Sequence, residues 1–283
     1  MDIVKVNPFN SVPATGKATT TWIPPYACSL HGFVFGMGGT YVLATHITGV
    51  TIKAGGKRLI PGISGARLQD LYEYEGIIND TGYFSVQFGD ATARTMNGKH
   101  MGNFDHTVYP GNMTIEIDNS GATSPTLEAW AMLMPPKLGM GIGYTQNEAE
   151  LHRALVETTI QTSAAVTDKA FDIGLGSEAG ALVKKLVFFH EGDLSSVSIK
   201  KAGFDIYEGI PNALAAYLQD DVYTRLPQSN VVVFDAIVDG DYSEVKTTIK
   251  PDGTPYNYQV KLTIAGAETI VTYADILTKL PLL

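Results

Sequence analysis

The same pattern of residues occurs twice in this sequence, at a constant spacing of 147 positions. Residues 50–71 return as residues 197–218, and both copies predict a strand, a turn, a second strand and a short helix. The matching pairs are Val50 and Val197, Ile52 and Ile199, Gly62 and Gly209, Ile63 and Ile210, and Leu71 and Leu218. A repeat of this period constrains the fold more than any other feature, because it indicates one module built twice.

The length agrees with two modules, since 283 residues exceed the usual single-domain size of about 100 to 150. We expect a first domain over residues 1–138, a linker with a connecting helix over 139–160, and a second domain over 161–283. Charged residues make up only 17% of the chain, and 29 glycines and 14 prolines interrupt it. This composition favours a turn-rich β protein with uncharged surface available for contact with other subunits.

The net charge excludes some classes of function. The chain carries 20 Lys and Arg against 29 Asp and Glu, a formal charge of −9, and has no long basic run. Direct binding of nucleic acid is therefore not expected. The single cysteine, Cys28, cannot form an intrachain disulfide and is predicted to be a small buried apolar residue.

Nothing near residue 1 resembles a secretory signal, and no stretch approaches the ~18 apolar residues of a membrane span. The sequence therefore predicts a soluble protein made in the cytoplasm. Two glycosylation sequons, at Asn79 and Asn112, are interpreted as chance matches in such a protein.

Alternating apolar and polar residues predict about eight strands in each half. In the first half they lie at 19–23, 30–35, 41–44, 50–53, 57–60, 83–88, 113–117 and 126–133. Corresponding runs in the second half lie at 170–173, 182–189, 197–206, 230–234, 258–264 and 269–274. The predicted fold class is all-β with short helices, as two tandem eight-stranded antiparallel jelly-roll β-barrels.

Three segments lie outside the predicted strands. Residues 1–17 are interrupted by proline and asparagine and are predicted to be an arm. Thr145 and Glu148 form a capping box, and the spacing of the apolar residues after them predicts a helix through Glu157 with no counterpart in the first half. Residues 277–283 are an apolar tail.

Candidate catalytic groups do not converge into a motif. The six histidines show no metal-ligand spacing, and His100 and His106 on a long loop are interpreted as a chance pair. Ser64 is predicted to cap a helix, and no Gly-x-Ser-x-Gly motif occurs. The glycine-rich stretches at 139–143 and 174–176 are interpreted as a linker and a turn. We therefore predict no enzyme activity and no catalytic, cofactor-binding or metal-binding residues.

A group of aspartates and a group of aromatic residues can each be interpreted in two ways, as structural or as functional. Asp90, Asp105, Asp239 and Asp241 lie on predicted loops and are expected to be solvated, with metal binding as the less favoured alternative. Four aromatic residues on matched strands favour a core position: Trp22, Tyr26, Trp130 and Tyr273. If they were exposed, they would instead suit a tandem β-sandwich carbohydrate-binding or receptor-binding spike protein.

The two repeated units, at 50–71 and 197–218, and the strand pattern around them resemble the double jelly-roll major capsid proteins of tailless icosahedral phages with an internal membrane, of the corticovirus type. This resemblance covers both halves of the chain. It implies a structural protein of the virion, synthesised in the host cytoplasm, whose homotrimers are pseudo-hexagonal and tile an icosahedral shell. It also implies contacts with minor capsid and vertex proteins and with membrane proteins beneath the shell.

The resemblance has consequences for metals and for the chain ends. Some members of this family bind structural calcium, but the sequence contains no Asp-x-Asp-x-Asp-Gly loop, so no cofactor is predicted and calcium stays an alternative. The arm at 7–12 and the tail at 277–283 are expected near the inner or inter-subunit surface. Deleting either should weaken assembly more than it lowers the unfolding temperature. The loops at 89–111 and 235–255 are expected at one pole.

Overall fold

The computed structural model describes residues 1–77, 82–141, 143–175 and 180–283. The sequon at Asn79 lies outside these residues, as do Ile142 and Gly176 in the two glycine-rich stretches. Within the described ranges the longest helix has 10 residues, so none reaches the length that a membrane span requires.

The first domain consists of two antiparallel sheets. Its strands are β1 (Asp2–Lys5), β2 (Gly16–Trp22), β3 (Ser29–Gly38), β4 (Ile47–Ala54), β5 (Lys57–Ile63), β6 (Tyr83–Gln87), β7 (Phe104–Asp105), β8 (Met113–Asn119) and β9 (Thr126–Met134). One sheet has the order β1-β9-β3-β6, with β7 beside β3, and the other has the order β2-β8-β4-β5. Its helices are α1 (Leu43–His46), α2 (Gly65–Tyr74) and α3 (Met96–Met101).

The second domain repeats this topology. A short helix, α4 (Gln146–Glu150), leads into β10 (Leu151–Thr162), β11 (Val166–Phe171), β12 (Leu182–Phe189), β13 (Leu194–Lys201), β14 (Phe204–Pro211), β15 (Val231–Asp235), β16 (Lys246–Thr247), β17 (Tyr258–Ile264) and β18 (Glu268–Lys279). Helix α5 (Asn212–Tyr217) follows β14, as α2 follows β5. The sheets are β10-β18-β12-β15, with β16 beside β12, and β11-β17-β13-β14. The predicted pair of antiparallel jelly rolls is confirmed.

The repeated unit forms as predicted in both halves. In the first, β4 and β5 are joined at Gly55 and Gly56, whose φ angles of +54° and +83° favour glycine. The Oγ of Ser64 then accepts a hydrogen bond from the backbone N–H of Arg67 (3.4 Å), which confirms Ser64 as the cap of α2. In the second half Gly203 is at the hairpin turn with a φ of +85°.

The first half has nine strands where eight are predicted, because one predicted strand is wrong and two short strands, β1 and β7, were not predicted. Residues predicted as a strand at 41–44 run into helix α1, Leu43–His46. The arm prediction missed β1, which pairs with β9 from Asp2 opposite Leu133 to Lys5 opposite Trp130. An isolated four-residue strand has too little pattern to be recognised, because its stability comes from the strand beside it.

The helix predicted over residues 145–157 is present only at its start. The capping box of Thr145 and Glu148 is present, but the helix ends at Glu150. Residues from Leu151 onward form β10, which pairs along its whole length with β18. Strand β10 is the counterpart of β1, because each pairs with the last strand of its own domain. The sheet of the second domain thus begins inside the segment predicted as a linker.

Parts of the arm and of the tail pack on the chain itself, and their predicted location near the inner or inter-subunit surface stays a prediction. In the arm, the Asn7 side chain donates a hydrogen bond to the carbonyl oxygen of Thr21 (2.9 Å), and Phe9 is buried. In the tail, Leu277 and Thr278 are fully buried residues of β18. Both segments are therefore parts of the folded domains.

The aromatic residues only partly follow the core prediction. Trp22 and Tyr273 are buried, whereas Trp130 is half-buried and Tyr26 is 48% exposed, so the prediction is wrong for Tyr26. Trp130 lies on β9 facing away from the core, since its neighbours Ala129 and Ala131 on the opposite face of the strand are buried.

Gly65 has no room for a side chain where α2 begins. A Cβ atom at this position would lie 1.9 Å from the carbonyl oxygen of Leu43 on α1, and that backbone atom cannot rotate away. We expect Gly65→Ala to lower the free energy of unfolding by about 1 to 3 kcal/mol, as measured by urea unfolding. Gly62→Ala is the matched control, because its Cβ would meet only the Thr51 side chain at 3.7 Å. Equal effects from the two variants would contradict the prediction.

Candidate functional site at the junction of the two domains

The two domains meet through one sheet of the second domain and the helix side of the first. The outer face of sheet β10-β18-β12-β15 packs against α2 and β5. Its apolar residues belong to the same buried cluster as the first domain's core, and they are Leu155, Val187, Phe189, Val233, Val271 and Tyr273. The guanidinium of Arg67 on α2 lies 5.8 Å from the centre of the Phe189 ring. The junction is thus a continuation of a protein core.

Charged residues are buried within this junction. On β12 a bulge between Val183 and Lys185 interrupts the alternation of faces, and Lys184 and Lys185 are both completely buried. The cluster around them contains four basic and four acidic side chains, namely Arg153, Lys184, Lys185 and Arg225 with Glu75, Asp90, Asp235 and Asp275. We call these eight residues the junction cluster. Glu75 and Asp90 come from the first domain and the other six from the second.

Asp275 is the central anion of the junction cluster. Arg153 donates to it in a bidentate arrangement, with Nε–Oδ1 and Nη2–Oδ2 distances of 3.0 and 2.8 Å. The Nζ of Lys184 lies 3.5 Å from the same carboxylate and 3.3 Å from that of Asp90. Because Asp90 belongs to the first domain, Lys184 joins the domains through two carboxylates.

Glu75 and Asp235 complete the pairing. Lys185 donates to Glu75, which also lies 3.6 Å from the Arg153 guanidinium. On the other side, Arg225 lies 3.8 Å from Asp235. The contacts of Asp235 with the first domain include a hydrogen bond donated by the Tyr74 hydroxyl (3.2 Å).

Each of the three central cations also lies near a tyrosine ring. The distances from cation to ring centre are 5.9 Å for Arg153 and Tyr72, 5.6 Å for Lys184 and Tyr242, and 5.7 Å for Lys185 and Tyr74. The Tyr242 hydroxyl also donates to Asp90 (2.9 Å). Buried charges are tolerated only when pairing and hydrogen bonding replace water, and these contacts supply both.

The surroundings of the cluster favour the charged forms of Asp90 and Asp275. Burial alone would raise the pKa of Asp90, but Lys184, Lys185, Arg153 and the Thr92 hydrogen bonds outweigh it and hold that pKa well below the usual value. The pKa of Asp275 is lowered for similar reasons, because Arg153 and the two lysines outweigh the effect of burial. Burial dominates at Asp235, whose pKa is raised. Since its charges are paired with one another, the cluster presents no free nucleophile or base.

A second group of buried polar residues surrounds Lys137, where the first domain ends. Its backbone N–H donates to Asp105 (2.7 Å), and its Nζ donates to the carbonyl oxygens of Met101 (2.6 Å) and Leu151. Burial lowers the pKa of Lys137 to about 7. His152, next in sequence to Leu151, packs edge-on against Phe104 with 5.2 Å between ring centres.

Two buried histidines should make stability depend on pH. Burial lowers the pKa of His106 to about 4 and that of His152 to about 3, in the latter case with a contribution from Lys137. In the unfolded chain each histidine takes up a proton near pH 6.5, whereas in the folded chain it does so only at a lower pH. The stability that these histidines contribute is therefore complete above pH 6.5 and is lost as the pH falls toward 4. Each histidine should remove about 1.4 kcal/mol per pH unit in this window.

The measurement is the urea midpoint at intervals from pH 8 to about pH 3. Below about pH 4 the loss should steepen, because Asp90 and Asp275 have lowered pKa values and must then be protonated. His106→Leu should make the dependence between pH 6.5 and 4 shallower. A midpoint that does not change between pH 7 and pH 5 would contradict the assignment.

The four aspartates predicted to be solvated divide into two groups. Asp90 and Asp105 are only 1% exposed, so the prediction is wrong for both. Asp239 and Asp241 are partly exposed, as expected for loop residues. In the described part of the chain no three His, Cys, Asp or Glu side chains are grouped so that they could hold a metal ion. The prediction that the protein has no cofactor stays a prediction.

Cys28 and the two loop histidines selected from the sequence, His100 and His106, pack against other parts of the fold. Cys28 is fully buried, and burial raises the pKa of its thiol to about 11. His100 packs against His31 (5.5 Å between ring centres), while His106 packs against Trp22 (4.9 Å). The loop histidines therefore have separate partners.

The junction cluster was not predicted, although the sequence contains a signal for it. Lys184 and Lys185 interrupt an otherwise apolar strand of eight residues, and Asp275 lies between the apolar residues Ala274 and Ile276 of β18. A strand interior accepts such residues only when partners neutralise them.

Comparison with known proteins assigns the chain. Residues 3–134 match the family model for the viral coat protein P2 N-terminal domain, and residues 153–280 match that for the P2 C-terminal domain. The chain belongs to the viral coat protein P2 family. As a P2 family member it is a viral coat protein, which favours the capsid prediction over the carbohydrate-binding or receptor-binding alternative. A search of curated proteins finds none that matches the chain.

Solved structures show the same fold as this P2 family member. The crystal structure of the major capsid protein P2 from bacteriophage PM2 matches with a TM-score of 0.77 and 13% identity, over 98% of this chain and 97% of that chain. The STIV MCP matches with a TM-score of 0.68 and 12% identity, over 100% of this chain and 98% of that chain. Both halves of the P2 fold are therefore shared at low sequence identity.

Proposed function

We propose that this P2 family protein is the major capsid protein of a tailless icosahedral virus with an internal membrane, and that it assembles as a homotrimer. The observation that carries the proposal is the presence of two jelly rolls of identical strand order in one chain. Three such chains supply six similar modules, which suit a pseudo-hexagonal tile. Many modest contacts closed by symmetry then give a stable shell.

The junction cluster supports this role. A capsid tile must keep its two modules in one orientation while neighbouring tiles press against it. Ion pairs and hydrogen bonds between Glu75 or Asp90 and the second domain have directional requirements that apolar contacts lack. The cluster therefore favours one relative orientation of the domains.

The remaining parts of the proposal follow from the coat role. The chain acts in the virion after synthesis in the host cytoplasm, and it contacts other copies of itself, minor capsid and vertex proteins, and membrane proteins beneath the shell. Its charge of −9 disfavours direct contact with the packaged nucleic acid. We propose no enzymatic activity and no required cofactor, with structural calcium as the alternative that metal analysis of assembled particles tests.

The test is the mass of the purified chain by light scattering, together with negative-stain images. The expected result is a particle of about three times the 30.4 kDa chain mass, and six-sided tiles or shells in the images. A chain that stays monomeric and forms no ordered assembly at any salt concentration, yet binds glycans, would overturn the proposal and favour the carbohydrate-binding alternative.

A further inference from the structure

The stretch of chain that connects the two domains is fixed to the first domain by buried polar groups. It runs from the end of β9 to the start of β10, and we call its described residues, 135–141 and 143–150, the connecting segment. Lys137 is completely buried near one end of it. Near the other end, the hydroxyl of the buried Tyr144 donates to the carbonyl oxygen of Asn97 in α3 (2.6 Å). The segment is thus attached at two places.

Lys137 binds the ends of two helices at once. Its Nζ lies 2.6 Å from the carbonyl oxygen of Met101, where α3 ends. It also contacts the carbonyl oxygens of Glu148 (3.5 Å) and Leu151, where α4 ends. The last carbonyl groups of a helix have no partner within that helix, so a buried ammonium group satisfies them. Lys137 therefore ties the start of β10 to α3 of the first domain.

The first residues of β10 contact the same part of the first domain. The backbone N–H of Arg153 donates to the carbonyl oxygen of Gly102 (2.9 Å). The ring of the neighbouring His152 packs edge-on against Tyr109, with 5.7 Å between ring centres, as it also does against Phe104. An imidazole is therefore enclosed where the second domain begins.

A second buried imidazole contacts the same phenylalanine. The centre of the His106 ring lies 5.0 Å from that of Phe104 and 4.9 Å from that of Trp22. Among the described residues, no ring nitrogen of His106 or His152 has a hydrogen-bond partner of ordinary geometry. A neutral imidazole is tolerated in such aromatic surroundings. An imidazolium would bury a charge and two N–H donors without partners.

The charged groups nearby do not compensate for a proton on either ring. Asp105 favours a proton on His106, but burial outweighs it, and Lys137 disfavours a second cation at His152. In the described part of the chain each nearby carboxylate already accepts a hydrogen bond. The titratable groups around the two imidazoles and Lys137 are the Cys28 thiol, the Tyr109 hydroxyl, the carboxylates of Asp105, Glu148 and Glu150, and the Lys279 ammonium, which pairs with Glu150.

We propose that His106, His152 and Lys137 form an acid-released latch between the domains. With both imidazoles neutral, the connecting segment lies on the first domain; a proton on either ring releases that segment together with the loop at 104–109, while the remainder of both domains stays folded. Arg153 marks where the opening stops, because the junction cluster anchors its side chain. This inference goes beyond the coat role and does not depend on it.

The first experiment measures hydrogen–deuterium exchange of the full chain at pH 7.5 and pH 5, expressed as protection relative to an unstructured peptide at each pH. Peptides covering 101–109 and 143–152 should lose protection by about 30-fold for each histidine that becomes accessible. The reason is that the pKa of each ring is near 6.5 in the open segment but about 4 for His106 and about 3 for His152 in the closed one.

A peptide covering 182–189 is the internal reference, because β12 lies within its sheet and is almost entirely buried. Its protection should change far less, since it opens only when the second domain unfolds. Unchanged protection of 101–109 and 143–152 at pH 5 would overturn the proposal. So would an equal loss at 182–189, because the acid response would then belong to unfolding of the domain rather than to release of one segment.

Variants without the titrating groups identify the rings responsible. His106→Phe and His152→Phe keep an aromatic ring, and each should remove about 30-fold of the acid-induced loss. The double variant should show almost none. His46→Gln is the matched control, because His46 lies on α1, beyond the end of β3 that is remote from Asp105, and it should respond to acid as the parent does. A parental response in the double variant would overturn the assignment.

Lys137→Met tests the other member of the latch. Without the ammonium group the carbonyl oxygens of Met101 and Leu151 lose their donor, so 143–152 should exchange rapidly even at pH 7.5. Lys137→Arg keeps the positive charge and should restore part of the protection. Circular dichroism and the exchange of 182–189 show whether each variant is folded. Parental protection of 143–152 in a folded Lys137→Met chain would exclude Lys137 from the latch.

Discussion

Replacing Asp275 with alanine should lower the free energy of unfolding by about 3 to 5 kcal/mol, the usual cost of removing one partner from a buried ion pair. Asp275 is completely buried and neutralises both Arg153 and Lys184. Without it the junction cluster has four cations and three anions in a region without solvent access. The measurement is urea unfolding at pH 7, monitored by circular dichroism.

An exposed ion pair provides the control for this variant. Lys5 and Glu128 lie 2.7 Å apart, with more than half of each side chain exposed. Lys5→Ala should therefore change stability by less than about 1 kcal/mol. If Asp275→Ala changes stability no more than Lys5→Ala does, the junction cluster does not stabilise the chain.

Truncating the chain after Ile276 should cost several kcal/mol or prevent folding, whereas truncating it after Lys279 should cost little. The longer deletion removes Leu277 and Thr278, which are fully buried and pair with Arg153 and His152 on β10. Loss of a buried leucine side chain alone typically costs about 2 to 5 kcal/mol. The measurement is thermal unfolding of both truncated chains against the full chain.

The pair of truncations also separates folding from assembly. The shorter deletion removes the partly exposed residues 280–283, where the carbonyl oxygen of Leu283 accepts a hydrogen bond from Lys57 (2.7 Å). If both truncations lowered only the assembly yield and left the unfolding temperature unchanged, the tail would act between subunits, as the sequence first suggested.

The repeat was predictable because matching residues keep their spacing through several elements. Val50 and Val197 begin equivalent strand segments, and Ser64 caps the helix that follows in the first copy. Alternation of apolar and polar residues is a local property of a strand with one buried face, so the sequence alone reveals it.

The helix predicted through Glu157 failed for a physical reason. Leu151, Ala154 and Leu155 have helical spacing, but their burial comes from two different surfaces. Ala154 faces the core of the second domain and Leu155 faces the first domain. A strand covered on both faces has no alternation, so a short apolar run in it resembles one side of a helix.

The pairing within the junction cluster could not be predicted, because its members are far apart in sequence. Glu75 and Lys185 are separated by 110 positions, and Arg153 and Asp275 by 122. Their burial depends on how the two domains pack. A pattern within either domain carries no information about that packing, so the sequence alone indicates a solvated Asp90 where the structure has a buried one.

The equal number of acidic and basic groups in the junction cluster has a thermodynamic consequence for assembly. Because these charges are satisfied within one chain, a neighbouring copy has no buried ions to neutralise when it docks. The ion pairs of the junction cluster should themselves respond weakly to ionic strength, since screening acts mainly on exposed charges.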